Sequence, residues 1–152
     1  MSEHEKIFPD CFPEDFEEKY LPHNLPNLKI SVFRVCTNGT INKETFLSTF
    51  EEICRGLKPA PKKWKKNAGK FDPGYFSVSC NDTRKAAEDV LKCLVGSHPK
   101  AFLIYGTASS ELGPLQRTSD REPSRLDKSH FDWWLYADSD PSADFKRVEG
   151  NR

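Results

Sequence analysis

Between Tyr75 and Thr107 the pattern of apolar and polar positions changes period twice, and capping or breaking residues mark each change. Tyr75-Phe76-Ser77-Val78-Ser79-Cys80 alternates with period two, which places Phe76, Val78 and Cys80 on one face of a strand and Tyr75, Ser77 and Ser79 on the other. From Thr83 the spacing lengthens: Ala86, Ala87, Val90, Leu91 and Leu94 share one helical face, with Lys85, Glu88, Asp89 and Lys92 outside it. Asn81 or Asp82 offers a side-chain oxygen to the free amides of the first turn. Gly96 tolerates positive φ beyond the last turn and Pro99 prevents continuation, so the helix is predicted to stop near Val95. Lys100 to Thr107 then reads as an inner strand covered on both faces, because its apolar run is continuous and too short for a second helix.

The same reasoning covers the rest of the chain. Lys29 to Cys36 alternates as a strand, with Ser31, Phe33 and Val35 on one face and Ile30, Val32, Arg34 and Cys36 on the other. Arg34 thus sits among apolar neighbours. After turn chemistry at Thr37-Asn38-Gly39-Thr40, Asn42 caps a predicted helix whose stripe is Phe46, Phe50, Ile53, Cys54 and Leu57 and whose end is Gly56. His130 to Tyr136 is predicted as a strand with Trp133 beside Phe131 and Leu135, while Trp134 shares the other face with His130, Asp132 and Tyr136. Trp133 is therefore expected in the core and Trp134 in a cleft or beneath the long 108–129 loop. Residues 1–28 read as an acidic, proline-rich strap with a brief helix near Pro13–Tyr20, 57–74 as a basic loop, 108–129 as a long polar loop, and 145–148 as a short edge strand. The order β, α, β, α, β, β predicts one α+β domain over 1–152, with two main helices packed on one face of a mixed or antiparallel sheet.

Charge changes this picture by its distribution rather than its sum. The 23 basic and 23 acidic residues cancel, which argues against a protein that coats nucleic acid with its whole surface. Yet Met1 to Tyr20 holds seven acids against two bases, whereas Arg55 to Lys70 holds seven bases and no acid. Lys62, Lys63, Trp64, Lys65 and Lys66 are therefore candidate contacts for a protein or nucleic-acid partner. No run approaches the 18 or more apolar residues of a membrane span, and Met-Ser-Glu-His-Glu-Lys lacks the apolar centre of a signal peptide, so a cytoplasmic protein with no membrane partner is expected. The five cysteines form no C-x-x-C pair and are expected to be reduced and mostly buried. His4, His23, His98 and His130 share no ligand spacing with them, so no metal is expected.

Phosphate-loop, dinucleotide, zinc-protease and serine-hydrolase fingerprints are absent from the chain. What remains is a set of polar and aromatic residues on predicted sheet faces, which would form a small-molecule cleft beneath the long loop. Arg34, Ser77, His130 and Asp132 are the candidate catalytic residues; Tyr75, Ser79, Trp134 and Tyr136 are the candidate ligand contacts. His130 and Asp132 lie on one face about 7 Å apart, too far for a direct bond. The order Val32-Phe33-Arg34-Val35, then Phe76-Ser77-Val78-Ser79 and a helix, resembles that of arginine-and-serine-type ADP-ribosyltransferases. The resemblance covers about a third of the chain and implies NAD as ligand; the E-x-E motif of that family has no counterpart after Ser79, where Glu111 and Glu122 are lone acids. Two readings follow: a regulatory module that binds a partner through its basic loop and aromatic patch, with no cofactor, or an enzyme acting on a nucleotide-like ligand.

Overall fold

Alternation in Lys29–Cys36 produces β1 with the predicted bounds, in a computed structural model that describes residues 7–62 and 71–149. Along its whole length β1 pairs with β3, from Lys29 opposite Ser109 to Cys36 opposite Phe102. Strands β2 (Val78–Asn81), β4 (Leu115–Arg117), β5 (His130–Trp133) and β6 (Phe145–Arg147) complete a six-stranded sheet with β3 (Phe102–Ser109). Its order is β4-β5-β2-β1-β3-β6, and every pairing is antiparallel. With helices α1 (Phe16–Lys19), α2 (Thr49–Cys54), α3 (Arg84–Leu94) and α4 (Thr118–Arg121), the chain is an α+β domain.

Three apolar clusters hold these elements. On one face of the sheet Val32, Val78, Ile104, Phe131 and Trp133 pack with Phe46 and Phe145. On the opposite face Val35 and Leu103 meet Ala87, Leu91 and Leu94 of α3. The third cluster joins Phe12, Phe16 and Tyr20 of the amino-terminal strap to Phe50 of α2, Phe76 and Trp134. The two-helix arrangement therefore holds only roughly: α3 packs on the sheet, whereas α2 is anchored by Phe50 to the strap.

Local chemistry explains where element bounds depart from the apolar pattern. The predicted helix after Asn42 divides into a 3-10 turn at Lys43–Phe46 and α2, because two capping boxes occur in succession: Asn42 with Thr45, then Ser48 with Glu51. Gly56, at φ 74°, lies just past the end of α2, a left-handed conformation that glycine adopts without a Cβ penalty. Asp72-Pro73-Gly74 opens a 3-10 turn at Pro73–Phe76, so Tyr75 and Phe76 precede the strand rather than begin it. The cap of α3 is Thr83, whose hydroxyl accepts from the Ala86 amide at 3.3 Å; Asn81 ends β2 instead. Gly96 keeps an ordinary φ, and the strand after it starts two residues later than predicted. That strand is internal, but Tyr105 is 44% exposed beside the Phe33 ring, so it is not covered on both faces throughout. The polar stretch 108–129 contains β4 and α4. Of the cysteines, only Cys36 and Cys80 are buried; Cys11, Cys54 and Cys93 are exposed. No helix among the described residues is long and apolar enough to cross a membrane.

The largest departure is at the tryptophans. Strand β5 stops at Trp133, and the Trp134 amide donates to the Pro114 carbonyl at 2.8 Å. Trp133 and Trp134 are both 0% exposed, the first in the sheet core and the second beneath the strap rings. Their indole N–H groups donate to Ser109 and Pro73 carbonyls at 3.1 and 3.0 Å. Gly113 permits the close approach, since a Cβ there would lie 2.0 Å from the Trp134 carbonyl oxygen. Gly113→Ala is expected to lower stability by about 1–3 kcal/mol through overpacking, measured as a fall in the urea midpoint at unchanged slope.

Candidate functional site

The sheet opens where β1 meets β2. Their register is one pair, Phe33 opposite Asn81, and beyond it Arg34 takes over from the ladder. Arg34 Nη1 donates to the Ser79 carbonyl at 2.6 Å and Nε to the Thr45 carbonyl at 3.1 Å. Burial lowers its pKa, but a guanidinium keeps its charge inside proteins. Beside it burial pushes the Cys80 thiol up to about 12, so that group stays neutral.

A cavity of about 600 Å³, within the range of small-molecule sites, lies between this opening, α2 and α3. Ser77, Ser79, Asn81 and His130 line it from β2, β5 and the preceding turn, with Arg34 and Arg125. Ala87, Val90 and Leu94 line one wall, along roughly 10 Å of helix at 1.5 Å per residue. Lys58 and His98 add further basic groups, and the lining acid is Glu52, 3.5 Å from Lys58. Positive charge is thus in excess. Arg125 Nε is buried and has no hydrogen-bond partner among the described residues.

Beneath His130 lies a connected set of polar groups around Asp132, which is 2% exposed. The Asp132 carboxylate accepts from Ser77 Oγ at 2.6 Å, from Thr118 Oγ1 at 2.8 Å and from Arg121 Nη2 at 2.9 Å. Thr118 Oγ1 also meets His130 Nδ1 at 2.6 Å. A hydroxyl has one proton, and Thr118 gives its proton to the carboxylate; the His130 contact must therefore be an Nδ1–H donating to Thr118. That arrangement leaves Nε2 as the acceptor nitrogen of a neutral ring. Burial lowers the His130 pKa, the Asp132 and Asp127 charges oppose that, and Arg125 and Arg121 add to it.

The sign of the pH effect follows from that depression. Below about pH 6.5 an unfolded His130 takes up a proton that the folded one resists, so stability falls as pH drops from 6.5 towards the depressed folded value. The slope in that window can be at most about 1.4 kcal/mol per pH unit, and His130→Gln should flatten it in denaturant titrations.

Four predicted residues, Arg34, Ser77, Ser79 and His130, line the one cavity. Ser77 is 3% exposed and its hydroxyl is already engaged by Asp132 and the Gly74 carbonyl. Asp132 lies under the cavity, joined to His130 through Thr118. The predicted aromatic wall is elsewhere: Trp134 and Tyr75 pack with the strap cluster, and the Tyr136 ring is 5.2 Å from Phe8. The cause is the end of β5 at Trp133, which takes Trp134 and Tyr136 off the strand face. Lys62 is exposed, whereas Lys63, Trp64, Lys65 and Lys66 lie outside the described residues. Asn81, Thr118, Arg121 and Arg125 were not among the sequence candidates. For Asn81 the signal was present, because it continues the period-two face of Ser77 and Ser79. The other three sit in a stretch with no periodicity. Comparison with protein-family models, curated proteins and solved structures finds no match, so the assignment rests on the geometry of this cavity.

Proposed function

We propose that the protein binds a phosphorylated, nucleotide-like ligand in the Arg34–Arg125 cavity. The carrying observation is the buried Arg125 Nε–H, which has no partner among the described residues in a cavity with excess positive charge. A buried unpaired donor carries a desolvation penalty of about 1–3 kcal/mol, which a phosphate oxygen accepting from it would relieve. NAD, which the resemblance to arginine-and-serine-type ADP-ribosyltransferases implies, belongs to this ligand class. Residence in the cytoplasm is part of the same reading, and the three exposed thiols fit a reducing compartment.

A second reading is favoured by one feature. Leu57, Lys58 and Pro59, which open the basic stretch, also line the cavity, and Lys62, Lys63, Trp64, Lys65 and Lys66 follow them in the sequence, which makes a longer polyanion the alternative ligand. A nucleic acid bound there would dissociate steeply with salt, and a protein partner recognised through the same lysines would need an acidic surface.

Thermal shift against NAD, mononucleotides and short oligonucleotides separates these readings. A bound ligand at one hundred times its dissociation constant should stabilise by about 2.7 kcal/mol. Arg125→Gln removes the unpaired donor, so it should leave the ligand-free protein no less stable than the parent and should remove the nucleotide shift. A melting temperature that no nucleotide moves contradicts the cavity reading; a shift by oligonucleotides alone, lost on neutralising Lys62, Lys63, Lys65 and Lys66, transfers the function to the basic loop.

A further inference from the structure

We infer that His130 is the proton acceptor of this cavity, and that Thr118 and Asp132 are positioning residues that hold it in the Nδ1–H form with Nε2 towards the ligand. The inference rests on the cavity being a ligand site, and it makes that site one for acid–base chemistry rather than for binding alone. Its substrate class is a phosphate-bearing ligand that presents a hydroxyl, or a water beside its phosphate, to Nε2.

The order of protons carries the argument. Asp132 pairs with Arg121 at 2.9 Å, and a carboxylate in an ion pair offers only acceptor oxygens, so its three contacts are donors. Thr118 is 2% exposed and has no second proton for His130. The imidazole therefore donates from Nδ1, and its remaining nitrogen makes no hydrogen bond to a described residue although His130 lines the cavity. On proton transfer, the O–H proton of the water or hydroxyl passes to Nε2, and the oxygen keeps the electron pair. The resulting imidazolium keeps its Nδ1–H bond to Thr118, and Asp132 stabilises the new charge. The groups facing the ring, Asp132, Asp127, Arg125 and Arg121, include two of each sign, so burial leaves the resting ring neutral.

The test reads the ring directly and needs no ligand. In nitrogen-15 spectra of the full chain at pH 7.5, His130 should show a protonated, pyrrole-type Nδ1 and a pyridine-type Nε2. Thr118→Val removes the hydroxyl while Asp132 keeps Ser77 and Arg121, so the fold survives and the ring should move towards the Nε2–H form. Thr118→Ser should restore the parent spectrum. In the same parent protein, diethyl pyrocarbonate should modify His130 at Nε2. A parent ring protonated on Nε2, a tautomer unchanged in Thr118→Val, or a His130 that the reagent does not modify would each overturn the assignment. Absence of nucleotide binding with the expected tautomer would remove the ligand reading and leave the Thr118–Asp132 arrangement standing.

Discussion

Replacing Asp132 with alanine should destabilise the protein by about 3–5 kcal/mol, a large part of the total for a domain of this size. The loss comes from what stays behind. Ser77, Thr118 and Arg121 all donate to this carboxylate, and the Arg121 side chain is only 18% exposed; without Asp132 it would keep only the more exposed Glu122, 3.1 Å away, as its counter-ion. Two buried hydroxyls left without their acceptor and a guanidinium stripped of its buried partner each carry a desolvation penalty. Asp120→Ala, at an exposed neighbour in α4, should change stability by no more than about 0.5 kcal/mol. Urea denaturation of the two variants separates a structural carboxylate from a general effect of lost acidity.

Trp133→Ala and Trp134→Ala should each cost about 3–5 kcal/mol, and their losses should be similar. Adjacent residues on one strand point to opposite faces, so an alternating pattern alone would bury one and expose the other. Here both sides are covered: Trp133 by the core that includes Phe145, at 6.4 Å between rings, and Trp134 by the strap, with Arg121 5.7 Å from its ring. Melting temperatures decide the matter. A small loss at Trp134 with weakened ligand binding would return it to the cleft and contradict the strap packing.

These cases show which parts of the molecule are legible in its sequence. β1 keeps its predicted bounds because local signals at both ends agree with its alternation. Ser79, Asn81 and His130 meet because period two places them on one face and the antiparallel register sets Asn81 opposite His130 and Ser79 opposite Asp132. The end of β5 was not legible, since Trp134-Leu135-Tyr136 continues the alternation and what stops the strand is distant: the Pro114 carbonyl and the space left by Gly113. Strand β4 is three residues that exist through their ladder with β5, a non-local pairing with no local signature. Asp132 likewise finds Ser77 55 positions away, and Arg121 and Thr118 11 and 14 away, in a stretch whose composition reads as loop.

On the proposed reading a phosphate-bearing ligand meets the unpaired Nε–H of Arg125. Nitrogen-15 spectra of arginine side chains during titration with AMP, ADP and NAD test it most directly. The Arg125 Nε–H resonance should shift and saturate with at least one of them, and Arg125→Gln should abolish binding. An Arg125 resonance unmoved by millimolar concentrations of all three would contradict it.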